Sequence, residues 1–408
     1  MGALKLSGYN VSFESSKPSE IVIINTCGFI NDAKEESVDT ILQNVMLKKE
    51  GKVHTLIVMG CLSQRYKHEL KSEIPEIDAV FGVNDFDALL HYLNASVKPS
   101  AYIARSQTTL PHYAYLKIAE GCNRTCAFCI IPKIRGKHIS FPIEDVVAEA
   151  TMLAENGVKE LLVIAQDTTF YGVDLYKKQE LAVLLKKLTK IEGIEWIRLH
   201  YTYPASFPAD VLKLIAEEPK ICKYIDIPLQ HISTRVLKSM NRGIDKEKTI
   251  KLITKIRKTI PDVAIRTSFI VGYPTETEKD FKELCLFIEE MKFDRVGVFQ
   301  YSHEEGTPAY IYGDKKSDKV KQKRFDILMA LQNEISEEIN ILKHGKIYKV
   351  IIDTVFNDTY VARTAYDSPE VDNEVLINSK KKLIPGQFYS VKIFASDAYT
   401  LFGEVLEN

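Results

Sequence analysis

The sequence predicts an α/β protein built in three parts: an open α/β domain, a partial (βα)6 barrel and a small C-terminal β-barrel. Three observations predict it. Apolar, strand-like runs alternate with helical stretches through most of the chain. Six of those alternations fall in one central block. Beyond about residue 341 the helices give way to short strands separated by Asn, Asp, Ser, Pro or Gly.

At 408 residues the chain is too long for one compact core, and 45% hydrophobic against 27% charged residues lets it bury two or three. Its 54 Lys and Arg nearly cancel its 55 Asp and Glu, so no global field draws it to nucleic acid or to an acidic membrane. No apolar run approaches the roughly 18 residues that cross a bilayer, and the start at Met1 has no signal-peptide pattern. A cytoplasmic protein is expected, its seven cysteines, several at strand ends, fitting ligands in a reducing compartment better than disulfides.

The first segment, 1–95, alternates strands with helices. Residues 21–25 and 55–59 read as buried parallel strands, and 32–48 as a helix with acidic first turns. Cys27 follows the first strand and Cys61 the second, at the carboxyl ends where open α/β sheets place ligands. Either cysteine alone reads equally well as a core residue; their matched positions favour a ligand pair.

Residues 94–111 have no clear period and read as a linker. The second segment, 108–338, carries strand-like runs at 113–120, 160–167, 196–203, 224–230, 264–273 and 295–302. Six parallel βα units suggest a partial barrel whose active end is the carboxyl end of its strands. Cys222 and Cys285 lie in helical or pre-strand apolar surroundings and read as core. A long helix over 317–343 leads to the third segment, 341–408, with strands at 347–353, 360–365, 374–377, 388–394 and 400–405. Five short strands suggest a Greek-key barrel of the OB type.

The chemistry concentrates in Cys122, Cys126 and Cys129, three thiols at x3 and x2 spacing directly after the first barrel strand. Thiolates are soft ligands suited to zinc, copper(I) or iron–sulfur clusters. Three of them on a four-iron cube leave one iron open. A structural zinc site would need a fourth ligand, and the near candidates His112 and His138 lack zinc-ribbon spacing. Three unrelated core cysteines remain the other bland reading.

The pattern Cys-x3-Cys-x2-Cys, with Phe128 before its last cysteine, resembles the signature of radical S-adenosylmethionine (SAM) enzymes. With Asn25-Thr26-Cys27-Gly28-Phe29-Ile30, Met59-Gly60-Cys61 and the run 120–136, nearly the whole chain is similar to the methylthiotransferases of that superfamily. Runs such as Arg198-Leu199-His200-Tyr201 and Pro228-Leu229-Gln230-His231 are similar to the branch acting on protein S12 of the small ribosomal subunit. The other branch acts on transfer RNA. Residues 341–408 carry eight Lys and Arg against nine Asp and Glu, which suits a basic protein partner better than RNA phosphates.

The resemblance implies two [4Fe-4S] clusters and SAM. Cys122, Cys126 and Cys129 would hold the catalytic cluster, whose open iron binds SAM. Cys27 and Cys61 would anchor an auxiliary cluster that carries the methylthio group. Reductive SAM cleavage would yield a radical that removes hydrogen from the β-carbon of an S12 aspartate. Gln166, Asp167, Arg198, Gln230, Thr267 and Gly272, on or after barrel strands, are the expected SAM contacts. An electron donor such as flavodoxin or ferredoxin is implied, no membrane is, and nucleic acid is expected only through the ribosome. The family opens with a strand ending in a further cysteine; here Met1 falls within what reads as the first helix, so an auxiliary cluster with two of its thiols is expected. A non-catalytic S12-binding or ribosome-binding protein and a plain iron–sulfur carrier stand as readings from other classes.

Overall fold

The computed structural model describes residues 1–15, 18–95 and 105–406. It forms two compact units. The first takes in Met1–Thr108, Glu120–His138 and Ser302–Tyr310, and the second Thr109–Ala119, Ile139–Tyr301 and Ile311–Asn408. Of the linker expected at 94–111, residues 96–104 lie outside the described residues.

In the first unit three parallel strands, β1 (Ile21–Thr26), β2 (Thr55–Gly60) and β3 (Ala79–Phe81), lie in the order β1-β2-β3. Successive side chains of a strand point to opposite faces. Leu56 and Val58 therefore pack on one side with Ile41 and Val45 of the helix Asn31–Lys49 and Leu70 of the helix Lys67–Glu73. Ile57, between them, packs on the other with Ala3 and Leu4 of the helix Gly2–Leu6 and Leu89 and Leu90 of the helix Phe86–Tyr92. Both faces are covered, which is why β2 reads as an unbroken apolar run. Burial of each Ile, Leu or Val side chain in this set stabilises the unit by up to roughly 1.5–3 kcal/mol. The helix Asn31–Lys49 has Asp32 in its first turn and Lys48 and Lys49 in its last, matching the helix dipole at both ends.

The second unit holds β4 (Tyr113–Lys117), β5 (Glu160–Ile164), β6 (Trp196–Leu199), β7 (Ile221–Asp226), β8 (Ala264–Val271) and β9 (Arg295–Gln300). They pair in chain order, parallel throughout, as an open sheet with β4 and β9 at its edges. Helices cover it with apolar stripes. In the helix Leu181–Leu188, for example, Leu181, Leu184, Leu185 and Leu188 are all buried at helical spacing. Five strands begin where the sequence pattern starts them; the fourth begins earlier, at Ile221. Cys222 is therefore a strand residue rather than a pre-strand one, buried among Trp196, Tyr224 and Ala264. Cys285 is half-buried on the helix Glu278–Met291.

The helix Asp318–Ile341 leads to β10 (Ile347–Phe356), β11 (Thr359–Thr364), β12 (Glu374–Asn378), β13 (Phe388–Ser396) and β14 (Thr400–Val405). These close into a barrel of order β10-β11-β12-β14-β13 around Val350, Ile352, Val375, Ile377, Val391, Ile393 and Leu401. All its pairs are antiparallel except β12 with β14. Irregularities at Ile352/Thr354 and Ile393/Ala395 bend β10 and β13 so that the sheet can close.

Within this unit the small barrel meets the amino ends of the parallel strands. Ile351 and Phe388 pack on Trp196, Cys222 and Ala264, and Arg363 and Asp367 pair with Glu160 and Arg295, the first residues of β5 and β9. The segment between β11 and β12 reaches further along the sheet, where Ser368 lies 3.1 Å from His200, the residue after β6. Among the described residues no helix is long and apolar enough to cross a membrane.

Candidate functional site

All five cysteines assigned as ligands belong to the first unit. Register sets the first pair: Thr26 of β1 lies opposite Gly60 of β2, so Cys27 and Cys61, the next residues, leave adjacent strand ends together. The Ser37 hydroxyl accepts from the Cys27 N–H at 3.0 Å and lies within reach of the Cys27 and Ala33 carbonyls, at 3.0 and 2.8 Å. A β-carbon on Gly28 would come within 2.7 Å of the Leu62 nitrogen, so the backbone after Cys27 can lie this close to the start of the helix Cys61–Arg65 only without a side chain. Arg65 holds this turn from the other side. Its Nη1 donates to the Gly28 carbonyl at 2.7 Å and to Glu304 at 2.8 Å, and Lys34 reaches the same carboxylate at 2.8 Å. Burial works to raise the pKa of Glu304, but Lys34, Arg65 and Ser302 outweigh it and hold the carboxyl below its ordinary value. Cys27 is exposed and Cys61 buried.

The other three thiols lie on an irregular loop that closes on itself. The Cys122 N–H donates to the Gly136 carbonyl at 3.1 Å, and Cys129 N–H to the Cys126 carbonyl at 3.0 Å. The Arg124 N–H points at the Cys122 sulfur at 3.4 Å, and the Ala309 N–H ties the Ala127 carbonyl at 2.7 Å. Gly121 opens the loop at φ +78°, and a β-carbon there would sit 2.1 Å from the Lys137 carbonyl oxygen, so no other residue fits. Cys122 and Cys126 are buried and Cys129 half-buried. The short helix Ile131–Arg135 follows, and its Ile134, with Ile130, packs against Cys61, Phe29 and Val83.

Among the described residues no three or more Cys, His, Asp or Glu side chains converge on a point that would hold a single metal ion. A four-iron cube asks for something else, one thiolate on each of several irons. Three soft donors on one loop, with a backbone N–H already directed at a sulfur, fit that requirement, and Cys27 with Cys61 offers a second pair.

The expected SAM contacts all lie in the second unit. Gln166 and Asp167 follow β5, and Asp167 accepts from the Thr169 hydroxyl at 2.6 Å. Gln230 sits at φ +72°, a conformation a non-glycine residue holds only when its surroundings enforce it. They do so through its bridge to Phe269 and backbone bonds to Ser268 and Ile270, both 2.8 Å. Thr267 donates to the Ile227 carbonyl at 2.8 Å and accepts from Leu229 N–H at 3.2 Å, tying the chain after β7 to β8. The Gly272 N–H donates to the buried Glu276 carboxylate, which also takes the Tyr273 N–H at 3.1 Å.

Arg198 is not part of this strand-end group. It is fully buried, with Nε on Glu160 at 2.8 Å and Nη1 on the Ala365 carbonyl at 2.8 Å. Glu160 meets Arg363 at 2.8 Å, Arg363 meets Asp353 at 2.6 Å, and Asp353 meets His112 at 2.7 Å. This chain runs toward the amino ends of the strands, where the small barrel packs.

Sequence reasoning singled out neither Ser37, Arg65 and Glu304 nor Arg135, which reaches Cys61. Arg135 lies within the run that carried the resemblance, yet its partner is 74 positions away. Only Gly121, next to the cysteine run, carried a local signal, the usual one of a glycine at a turn.

The middle of the chain, residues 116–288, matches the Radical SAM superfamily model. Residues 345–406 match the TRAM domain model, and residues 1–82 that of the uncharacterized protein family UPF0004. The fold is also similar to the radical S-adenosylmethionine methyltransferase TsrM from Kitasatospora setae. The TM-score is 0.56 at 12% identity, over 71% of this chain and 65% of that one. These define a radical SAM protein with flanking α/β and β-barrel domains. The chain is 52% identical over its whole length to the ribosomal protein uS12 methylthiotransferase RimO of Christiangramia forsetii, covering 90% of that protein. It is 52% identical to the protein of the same name from Flavobacterium johnsoniae, over 99% of this chain and 93% of that one. The chain belongs to the RimO family of uS12 methylthiotransferases.

Proposed function

We propose that this protein adds a methylthio group to ribosomal protein uS12, at the β-carbon of an aspartate, by radical SAM chemistry. The observation that carries the proposal is the full-length identity of about half to proteins bearing that name. Five cysteines in one compact unit support it.

Cys122, Cys126 and Cys129 would hold one [4Fe-4S] cluster, and Cys27 and Cys61 would contribute to a second. When bound, the first supplies the electron that cleaves SAM and so makes hydrogen abstraction from an unactivated carbon accessible, which no side chain achieves by acid–base catalysis. The chain's own residues bind and orient. The Gly136 carbonyl and the N–H of Arg124 fix Cys122, and the Cys126 carbonyl takes the N–H of Cys129, so the loop itself sets where the three sulfurs sit. Gln166, Asp167, Gln230, Thr267 and Gly272 are the proposed SAM contacts. Arg198 is left out of that set because it is fully buried, with Nε held by Glu160 and Nη1 by the Ala365 carbonyl. Flavodoxin or ferredoxin is the proposed class of electron donor, and the cytoplasm, where ribosomes assemble, the proposed location.

The test is mass spectrometry of uS12 after incubation with the anaerobically reconstituted protein, SAM, sulfide and a reductant. An aspartate carrying one added methylthio group is expected. Cys126→Ala should abolish 5′-deoxyadenosine formation while leaving the circular dichroism spectrum unchanged; retained cleavage would overturn the radical assignment.

A further inference from the structure

We propose that Arg135 is a positioning residue that fixes the Cys61 sulfur from the three-cysteine loop, placing a guanidinium charge beside whatever cluster Cys61 holds. The inference rests on reading Cys61 as a cluster ligand.

Arg135 ends the short helix that follows the loop. Its Nη1 donates to Glu120 at 2.9 Å, and its Nη2 lies 3.5 Å from the Cys61 sulfur. A guanidinium is a rigid planar fork, so an arm held by a carboxylate fixes where the other arm points. Glu120 immediately precedes Gly121, where the loop opens, and Arg135 precedes Gly136, whose carbonyl receives the Cys122 N–H. One side chain thus ties both ends of the loop to the sulfur of another segment. Ile130 and Ile134 keep the helix in place by packing against Cys61, Phe29 and Val83. A lysine supplies the charge but not the fork.

Hydrogen bonds and charge at the sulfurs are among the factors that set an iron–sulfur potential. A positive charge stabilises the more negative, reduced state, so removing it lowers the potential. Two measurements test the proposal on the full chain. The first is hydrogen exchange of the metal-free protein. Arg135→Met should speed exchange across Cys61–Arg65 by about tenfold or more, the scale of one lost charged hydrogen bond. Glu120→Gln should give a smaller increase and Arg135→Lys an intermediate one. Unchanged exchange in Arg135→Met would overturn the positioning role.

The second adds Cys122→Ala, Cys126→Ala and Cys129→Ala, so that bound iron reports on the other site alone. Retained iron and the midpoint potential are then read by electron paramagnetic resonance during reductive titration. Arg135→Met is expected to lower the potential or shed iron to a chelator faster, and Arg135→Lys to restore the potential in part. An unmoved potential with iron retention equal to the parent would overturn the charge role. If Cys61→Ala in this background keeps its iron, the ligand reading fails instead. If the background takes up no iron, the hydrogen-exchange result decides the proposal.

Discussion

Glu160 and Arg198 form an ion pair in which neither side chain reaches solvent, their atoms 2.8 Å apart. The second oxygen of Glu160 meets Arg363, so one carboxylate answers two buried guanidinium groups. Burial alone would raise the pKa of Glu160, but Arg363 and Arg198 outweigh it and hold it below the ordinary value. Removing one member of such a set leaves an uncompensated buried charge, at a cost of roughly 3–5 kcal/mol. Glu160→Ala should therefore lower the free energy of unfolding by about that much in denaturant titrations. Arg198→Met should destabilise too, while SAM affinity of the folded fraction stays within about twofold, because the arginine acts at the amino ends of the strands.

Gly121→Ala should damage the cysteine loop selectively. The new methyl group would collide with the Lys137 backbone, which cannot move aside as a flexible side chain could. Reconstituted iron should fall to roughly half that of the parent, as expected if one of two clusters is lost. Far-ultraviolet circular dichroism should hardly change. Full iron loading in the variant would show that the loop tolerates the strain.

The thiols should react in an order set by exposure and charge state. Only the thiolate is nucleophilic. Cys222 is buried, and burial pushes its thiol up to about 11; burial pushes Cys285 to about 11 as well. Iodoacetamide at pH 8 should therefore label exposed Cys27 first in the metal-free protein and leave Cys222 and Cys285 largely unmodified. Their labelling should climb as pH rises toward that value. Peptide mapping reads the order directly, and early labelling of Cys222 would contradict its placement in β7.

Asp280 makes a testable contribution to acid stability. Burial works to raise its pKa, but hydrogen bonds from Ser233 and Thr277 and the Arg235 guanidinium outweigh it and hold the carboxyl well below the usual range. It also closes the capping box with Thr277 at the start of the helix Glu278–Met291. A depressed carboxyl contributes stability that is complete above the unfolded pKa, roughly 4, and lost as pH falls through the lower folded value. Asp280→Asn should cost about 1–2 kcal/mol at pH 7, and the gap to the parent should narrow below about pH 4. A gap independent of pH would mean that the charge of Asp280 contributes nothing.

Much of the architecture was legible because it is carried by local pattern. The alternation of apolar runs and helices announced the parallel sheets, and the short strands beyond Leu342 announced the closed barrel. The exceptions are instructive. β7 begins at Ile221 because Ile221, Cys222 and Tyr224 are apolar residues buried between β6 and β8, a context no local window contains. Cys27 and Cys61 could be paired in advance because both close adjacent parallel strands, and the register of β1 on β2 brings those ends level.

By itself the sequence carried the expected donor set, since the Cys-x3-Cys-x2-Cys spacing is a property of consecutive residues, and determined the class of each domain, since hydrophobic periodicity is local. Tertiary structure alone decided where the charged side chains point. Arg198 sits in a strand of the domain expected to bind SAM, yet it is buried against Glu160 and Ala365, and Arg135 finds its sulfur 74 residues away. The reason is physical: a guanidinium withdrawn from water, wholly for Arg198 and partly for Arg135, settles on whatever carboxylate, carbonyl or sulfur the fold brings within hydrogen-bonding reach. That partner is chosen by packing across distant segments, on which residue spacing carries no information.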